Sequence, residues 1–236
     1  MDGAGRPLVY RHALPTRLWH WLNAITVFVM LMSGLMIFNA HPRLYWGQYG
    51  ANLDQAWLEI GHVRDAFPGW MTIPSYYSLS SARRWHLAFA WVLVLGGVAY
   101  GIASIVNRHF RNDLLPERRE LAPAHLWHDI REHARLRFPK GEAARRYNIL
   151  QKLAYCGTLF GLLPLMVLTG LTMSPAMDAA WPWLLDLFGG RQSARSIHFI
   201  AAMLIAAFIA VHLLMVVLAG PFNEIRSMIT GRYRLP

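Results

Sequence analysis

Four of the eleven histidines in this 236-residue chain, His20, His86, His198 and His212, stand inside long apolar stretches. Ionisable side chains in such stretches are costly and tend to be kept for chemistry. His198 and His212 are 14 residues apart, roughly 21 Å along a helix at about 1.5 Å per residue, and 14 steps of about 100° return to within roughly 40° of the same face. Both imidazoles therefore point to one side of one helix, near its two ends. His20 opens the first apolar stretch and His86 the second, so alternating spans put His20 at the depth of His212 and His86 at the depth of His198. Two neutral imidazoles facing each other at one level suit the axial positions of a haem iron in the apolar slot of a helix bundle. Zinc wants three or four ligands at a point, which two histidines per level do not supply. Proton relays normally include Asp or Glu, and the apolar stretches contain neither. Cys156 is the one cysteine, which excludes a Cys-x-x-Cys-His attachment and a thiolate-held cluster, so any haem is non-covalent. The other histidines, His12, His41, His62, His109, His125, His128 and His133, fall in predicted loops or tails.

The elements that must position these side chains follow from charge and hydropathy. The chain is 55% hydrophobic and 15% charged, against about 25% charge in a typical soluble domain. Its uncharged stretches at 18–42, 85–107, 153–177 and 196–223 are 25, 23, 25 and 28 residues long, and a bilayer crossing needs roughly 20. They predict an all-α integral membrane protein, a four-transmembrane-helix bundle with two haem b sites, in one domain spanning 1–236. Its helices run over about 18–40, 85–107, 150–175 and 196–220. The first apolar run is too long for a signal peptide's core and no small-x-small site follows it, so it reads as a permanent helix.

Of the 23 Lys and Arg, 17 fall on one side of this arrangement and 6 on the other. Basic residues favour the cytoplasm, so both termini and the 108–149 loop are expected there and the 39–84 loop in the periplasm of a bacterial inner-membrane protein. The net charge of +10 thus reads as an orientation signal and contact with anionic lipid. The 108–152 segment mixes basic residues with Asp113, Glu117, Glu120, Asp129, Glu132 and Glu142, which argues against a nucleic-acid arm. The 39–84 loop carries Tyr45, Trp46, Tyr49, Trp57, Phe67, Trp70, Tyr76 and Tyr77. Such a concentration fits a docking surface for a partner or an interfacial aromatic belt. Residues 181–188 read as a short interfacial segment.

Two tags suggest a partial repeat of a helical hairpin. Ser81 precedes His86 by five residues as Ser193 precedes His198, and Ser33-Gly34-Leu35 in the first helix matches Thr169-Gly170-Leu171 in the third. Aligned on those glycines, His20 falls opposite Cys156, and the position 14 residues after His86 is Tyr100 where the fourth helix has His212. Gly34, Gly96, Gly97 and Gly170 would admit a porphyrin face or close helix packing. Arg17, Arg83, Arg84 and Arg195, each within three residues of a candidate ligand, would pair with haem propionates or sit at the interface as snorkelling residues.

Leu18-Trp19-His20-Trp21, His86, the His198 to His212 spacing and Tyr147-Asn148-Ile149-Leu150-Gln151-Lys152 together resemble the bacterial cytochrome b561 and nickel-iron hydrogenase b-type cytochrome family. That family includes the gamma subunit of formate dehydrogenase-N and cytochrome subunits of thiosulfate reductases. The resemblance implies a subunit with two haem b groups, carrying electrons between a periplasmic redox partner and the quinone pool. The partner would be a molybdopterin-dependent, iron-sulfur or cytochrome c protein. It also implies exchangeable quinone beside the inner haem, with Asn148 and Gln151 bonding a quinone carbonyl, although such residues at a helix start also act as caps. Two other classes remain open. One is a self-contained quinol oxidoreductase acting on a small soluble oxidant; the other, a haem-free channel or transporter, leaves the aligned histidines unexplained.

Overall fold

The computed structural model describes residues 8–51, 53–135 and 147–234. The segment 136–146 of the expected 108–149 loop, which includes Glu142, lies outside them. Four helices are long and apolar enough to cross a membrane: α1 (Leu14–Phe38), α2 (Leu79–Val106), the span Ile149–Thr172 and α8 (Arg191–Ala219). The third span is built of α4 (Ile149–Cys156), a π-helical segment Gly157–Leu162 and α5 (Leu163–Thr172). Pro164 accounts for the widened turns. It has no N–H, so a regular helix would leave a carbonyl of the preceding turn unmet, and π turns are a known way of absorbing such a defect.

The helices begin earlier than the uncharged stretches do. Charge-free length marks the part that can sit in hydrocarbon, whereas the helix continues outward into the interface, where Arg83 and Arg84 of α2 or Arg191 and Arg195 of α8 are tolerated. Much of the apolar surface of the spans is exposed, Leu18, Ile102, Leu204 and Val211 among it. This is the pattern of helices whose outer face meets lipid instead of protein.

The chain divides into two compact units, each built from parts of all four spans. One comprises Met1–Leu22, Gly97–Phe160 and Ala207–Pro236. Here β1 (Leu8–Tyr10) pairs antiparallel with β4 (Arg232–Arg234), so the two ends of the described chain meet. Between them, α9 (Pro221–Thr230) follows α8 after Gly220, whose φ of 106° is open chiefly to glycine and lets the chain turn at once into Pro221. An ion pair of Arg11 with Glu224 at 3.2 Å and the stacking of Arg11 over Tyr233 hold the strand pair to α9. The loop after α2 carries α3 (Pro123–Ala134). The buried Lys152 binds Glu120 at 2.8 Å; burial raises the Glu120 carboxyl, and the Lys152 ammonium outweighs this and holds it below the usual range.

The second unit comprises Asn23–Gly96 and Gly161–Ala206. Its loop forms β2 (Arg43–Leu44) against β3 (Leu58–Glu59), and Asn39 ties the end of α1 to Phe67 through two backbone bonds of 2.8 and 2.9 Å. The 181–188 segment forms one short helix, α7 (Pro182–Leu187), preceded by another, α6 (Pro175–Ala180), and each is opened by a proline. The loop is pinned on the start of α8. Trp57 Nε1 donates to Ser196 Oγ at 3.0 Å, Ser196 donates to the Tyr45 carbonyl at 2.6 Å, and Ser193 Oγ accepts from Gly47 N at 2.7 Å.

Candidate functional site

Each unit holds one histidine pair. In the second unit the rings of His86 and His198 have centres 6.3 Å apart at an interplanar angle of 63°. In the first, His20 and His212 are also 6.3 Å apart, at 57°. The pairs are those expected from helical phase and depth. Among the described residues no three or more His, Cys, Asp or Glu converge as a metal-ion cage.

The pairs differ in what surrounds them. His86 Nδ1 lies 3.1 Å from Ser33 Oγ and 3.1 Å from the Met30 carbonyl, and His198 Nδ1 lies 2.9 Å from Thr169 Oγ1. Ser33 and Thr169 are fully buried. The glycine after each hydroxyl faces the same ring, since a Cβ on Gly34 would stand 3.5 Å from His86 Cε1 and one on Gly170 3.5 Å from His198 Cε1. The tags Ser-Gly-Leu and Thr-Gly-Leu are therefore ring seats, and Gly97 faces open space. At the other pair the neighbours are aromatic. His212 stacks on Phe208 at 5.9 Å, His20 meets Trp21 edge-on at 5.1 Å, and His20 Nδ1 is buried without a hydrogen-bond partner.

The four arginines near the histidines have distinct positions. Arg17 donates to the Ile229 carbonyl, and Arg195 to the carbonyls of His41 and Arg43. Both thereby tie a helix to neighbouring backbone. Arg84 is two residues before His86, about 200° around the helix and so on the far side; it lines a shallow recess with Ser81, Trp85, Ala88 and Phe89. Arg83 is exposed. Asn148 and Gln151 form a reciprocal cap on α4. Asn148 Oδ1 accepts from Gln151 N at 2.9 Å, and Gln151 Oε1 accepts from Asn148 N at 3.3 Å. The second polar group of Asn148, its amide nitrogen, reaches His133 Nε2 at 3.1 Å.

Sequence reasoning missed two features. His12, set among the tail residues, is buried in the first unit, where its Nδ1 is 3.3 Å from Tyr147 OH and its ring stacks on Tyr147. Burial, followed by the charges of Arg11 and nearby histidines, lowers its pKa to about 3, while burial raises that of Tyr147. The imidazole is thus held in its neutral form, and it shares one hydrogen bond with the phenol. No periodicity signals this, because β1 and β4 close over His12 only in three dimensions. Ser33 and Thr169 were visible as repeat tags, yet the imidazole partner that gives them meaning is 53 residues from Ser33 and 29 from Thr169.

Four helices long and apolar enough to cross a membrane thus carry one pair of half-buried imidazoles in each unit. The family model described as prokaryotic cytochrome b561 matches residues 11–231, and the chain belongs to that family. It is a multi-pass b-type cytochrome of the bacterial inner membrane that serves electron transport, and haem b is the cofactor the family implies. Among its relatives is a putative protein-methionine-sulfoxide reductase subunit, YedZ1, of Azospira oryzae, 27% identical over 91% of this chain and 93% of that one. A probable Ni/Fe-hydrogenase B-type cytochrome subunit of Azotobacter chroococcum is 25% identical over 86% of this chain and 78% of its own. The putative cytochrome YdhU of Escherichia coli is 26% identical over 96% and 75% respectively. No solved structure matches the chain.

Proposed function

We propose that the chain is the membrane subunit of an oxidoreductase complex and carries electrons between a periplasmic redox partner and the quinone pool through two haem b groups, one on His20 and His212 and one on His86 and His198. The geometry of the pairs carries this reading. At about 2 Å per metal–nitrogen bond, two imidazoles whose ring centres are about 6 Å apart would have room to hold one iron between them. Both pairs stand at 6.3 Å. When bound, the group supplies a one-electron couple inside a medium that admits no free ions.

The chain's own residues do the rest. The four histidines would hold the iron, the spans would keep water out, and the cationic ends of α1 and α8 would balance the porphyrin's carboxylates. For that last task Arg17 and Arg195 have N–H groups beyond those spent on carbonyls, Arg83 is exposed, and Arg84 faces away from His86. Quinone exchange is assigned to the unit of His20 and His212, where the segment beginning at Tyr147 carries the family resemblance. Asn148 and Gln151 would contribute there through amide N–H groups, since both of their carbonyl oxygens are taken by the cap. The names of the relatives, subunits of a hydrogenase and of a methionine-sulfoxide reductase, support a separate redox partner over a self-contained quinol oxidoreductase. We place that partner on the 39–84 loop and the 178–194 segment in the periplasm, with both termini cytoplasmic as the basic residues favour.

Haem content tests the reading. The purified wild-type protein is expected to give two haems per chain by pyridine haemochrome, with His198→Ala and His212→Ala each losing one and retaining the other. One haem or none in the fully loaded wild type would overturn it.

A further inference from the structure

The same hydroxyl-glycine pair recurs at one histidine pair and has no counterpart at the other. Met30 O, 3.1 Å from His86 Nδ1, can only accept, so that nitrogen carries the ring proton and Nε2 keeps the lone pair. Ser33 Oγ sends its own proton to Met30 O at 3.2 Å and turns a lone pair to the imidazole. Thr169 does the same more tightly. Its hydroxyl donates to Leu165 O at 2.7 Å, which leaves Oγ1 to accept from His198 Nδ1 at 2.9 Å. Gly34 and Gly170 let each ring lie close enough to reach these oxygens, because a larger side chain would fill the space against Cε1.

We propose that Ser33 and Thr169 are positioning residues whose hydroxyl oxygens accept from the Nδ1–H of His86 and His198 and thereby lower the reduction potential of the haem between them. The proposal rests on that pair being haem ligands, as inferred above. A buried acceptor on Nδ1–H draws the proton away from the ring and makes Nε2 a stronger donor, which favours the ferric iron over the ferrous. Both hydroxyls lie out of water, where such a bond is worth more than at a surface. Among the described residues His20 Nδ1 has no hydrogen-bond partner, so His20 lacks this bias.

The test is a redox titration of purified wild type, Ser33→Ala, Thr169→Val and the double variant, each with its haem content measured. Two haems should remain, one of the two reduction waves should move to more positive potential, further in the double variant, and the other wave should stay. The low-spin EPR signal of the shifted haem should change as the ring loses its anchor, and Thr169→Ser should restore both readouts. If both haems are kept and neither wave moves, the inference is wrong although the haem assignment stands. If His198→Ala loses no haem relative to wild type, the assignment itself has failed. Should a variant shed its haem, Thr169→Val and Thr169→Ser decide between the alternatives. Valine keeps the packing volume without the hydroxyl and serine keeps the hydroxyl in a smaller volume, so haem loss in the valine variant alone still assigns the role to the hydroxyl, and loss in both overturns it.

Discussion

The two units solve one problem by different means. Around His86 and His198 each ring is seated by a buried hydroxyl on Nδ1 and a glycine against Cε1. Around His20 and His212 the rings lean on Phe208 and Trp21, and His20 Nδ1 has no partner. Directional bonds hold a ring plane at a definite angle and decide which nitrogen is free. Aromatic contacts of about 0.5–1.5 kcal/mol hold position but leave the tautomer open. Polar residues of the other unit tie its strand pair, loop and helices together, through Arg11 with Glu224, Lys152 with Glu120, and His12 with Tyr147. One unit is therefore built to specify a ring and the other to hold a structure together.

The largest test of that contrast is steric. A Cβ at Gly34 or Gly170 would sit at ordinary contact distance from the ring, so Gly34→Ala and Gly170→Ala should keep both haems. Gly34→Leu and Gly170→Leu should push the ring off its hydroxyl, at about 1–3 kcal/mol of overpacking, and lose one haem in a haemochrome assay. Equal haem loss with alanine would return these glycines to the porphyrin-face reading.

Acid should separate the units next. His12 titrates at about 3 in the fold against 6.5 when free, so the fold prefers its neutral form. Its contribution is complete above pH 6.5 and is lost as pH falls toward 3, by up to about 1.4 kcal/mol per pH unit across that window. The unit of His20 and His212 should loosen first in an acid titration followed by haem absorbance, and His12→Gln should flatten that dependence. Simultaneous loss of both haems in the wild type, unchanged in His12→Gln, would remove the distinction.

The smallest effect concerns the loop on the other unit. Tyr49, Trp70 and Tyr76 are exposed, whereas Trp57 is bonded to Ser196, so excising residues 50–70 would damage the seat of α8 as well as any docking surface. Point changes are cleaner. Trp70→Ser with Tyr76→Ser should leave both haems in place and weaken binding of the native redox partner by about 2 kcal/mol, roughly 30-fold in Kd. Unaltered binding would make the loop a cover for the histidine pair and nothing more.

Four spans and the pairing of four histidines were legible in the sequence because both rest on local rules. Absence of charge measures how much chain can sit in hydrocarbon, and the phase of 14 helical residues is arithmetic. Helix ends were less legible: α2 starts at Leu79, not 85, since the interface accepts Arg83 and Arg84 within a helix. Asn148 and Gln151 were readable as cap or quinone ligands, and only the bond pattern shows the cap.

By itself the sequence determined which imidazoles pair across neighbouring spans, because hydropathy and helical period are properties of neighbouring residues. Which atoms support those rings was decided only in the tertiary structure. Ser33 and His86, Thr169 and His198, and His12 and Tyr147 are each separated by tens of residues. A hydrogen bond between them depends on how two helices or a strand pair approach to within about 3 Å, a distance no pattern of residue types along one chain encodes.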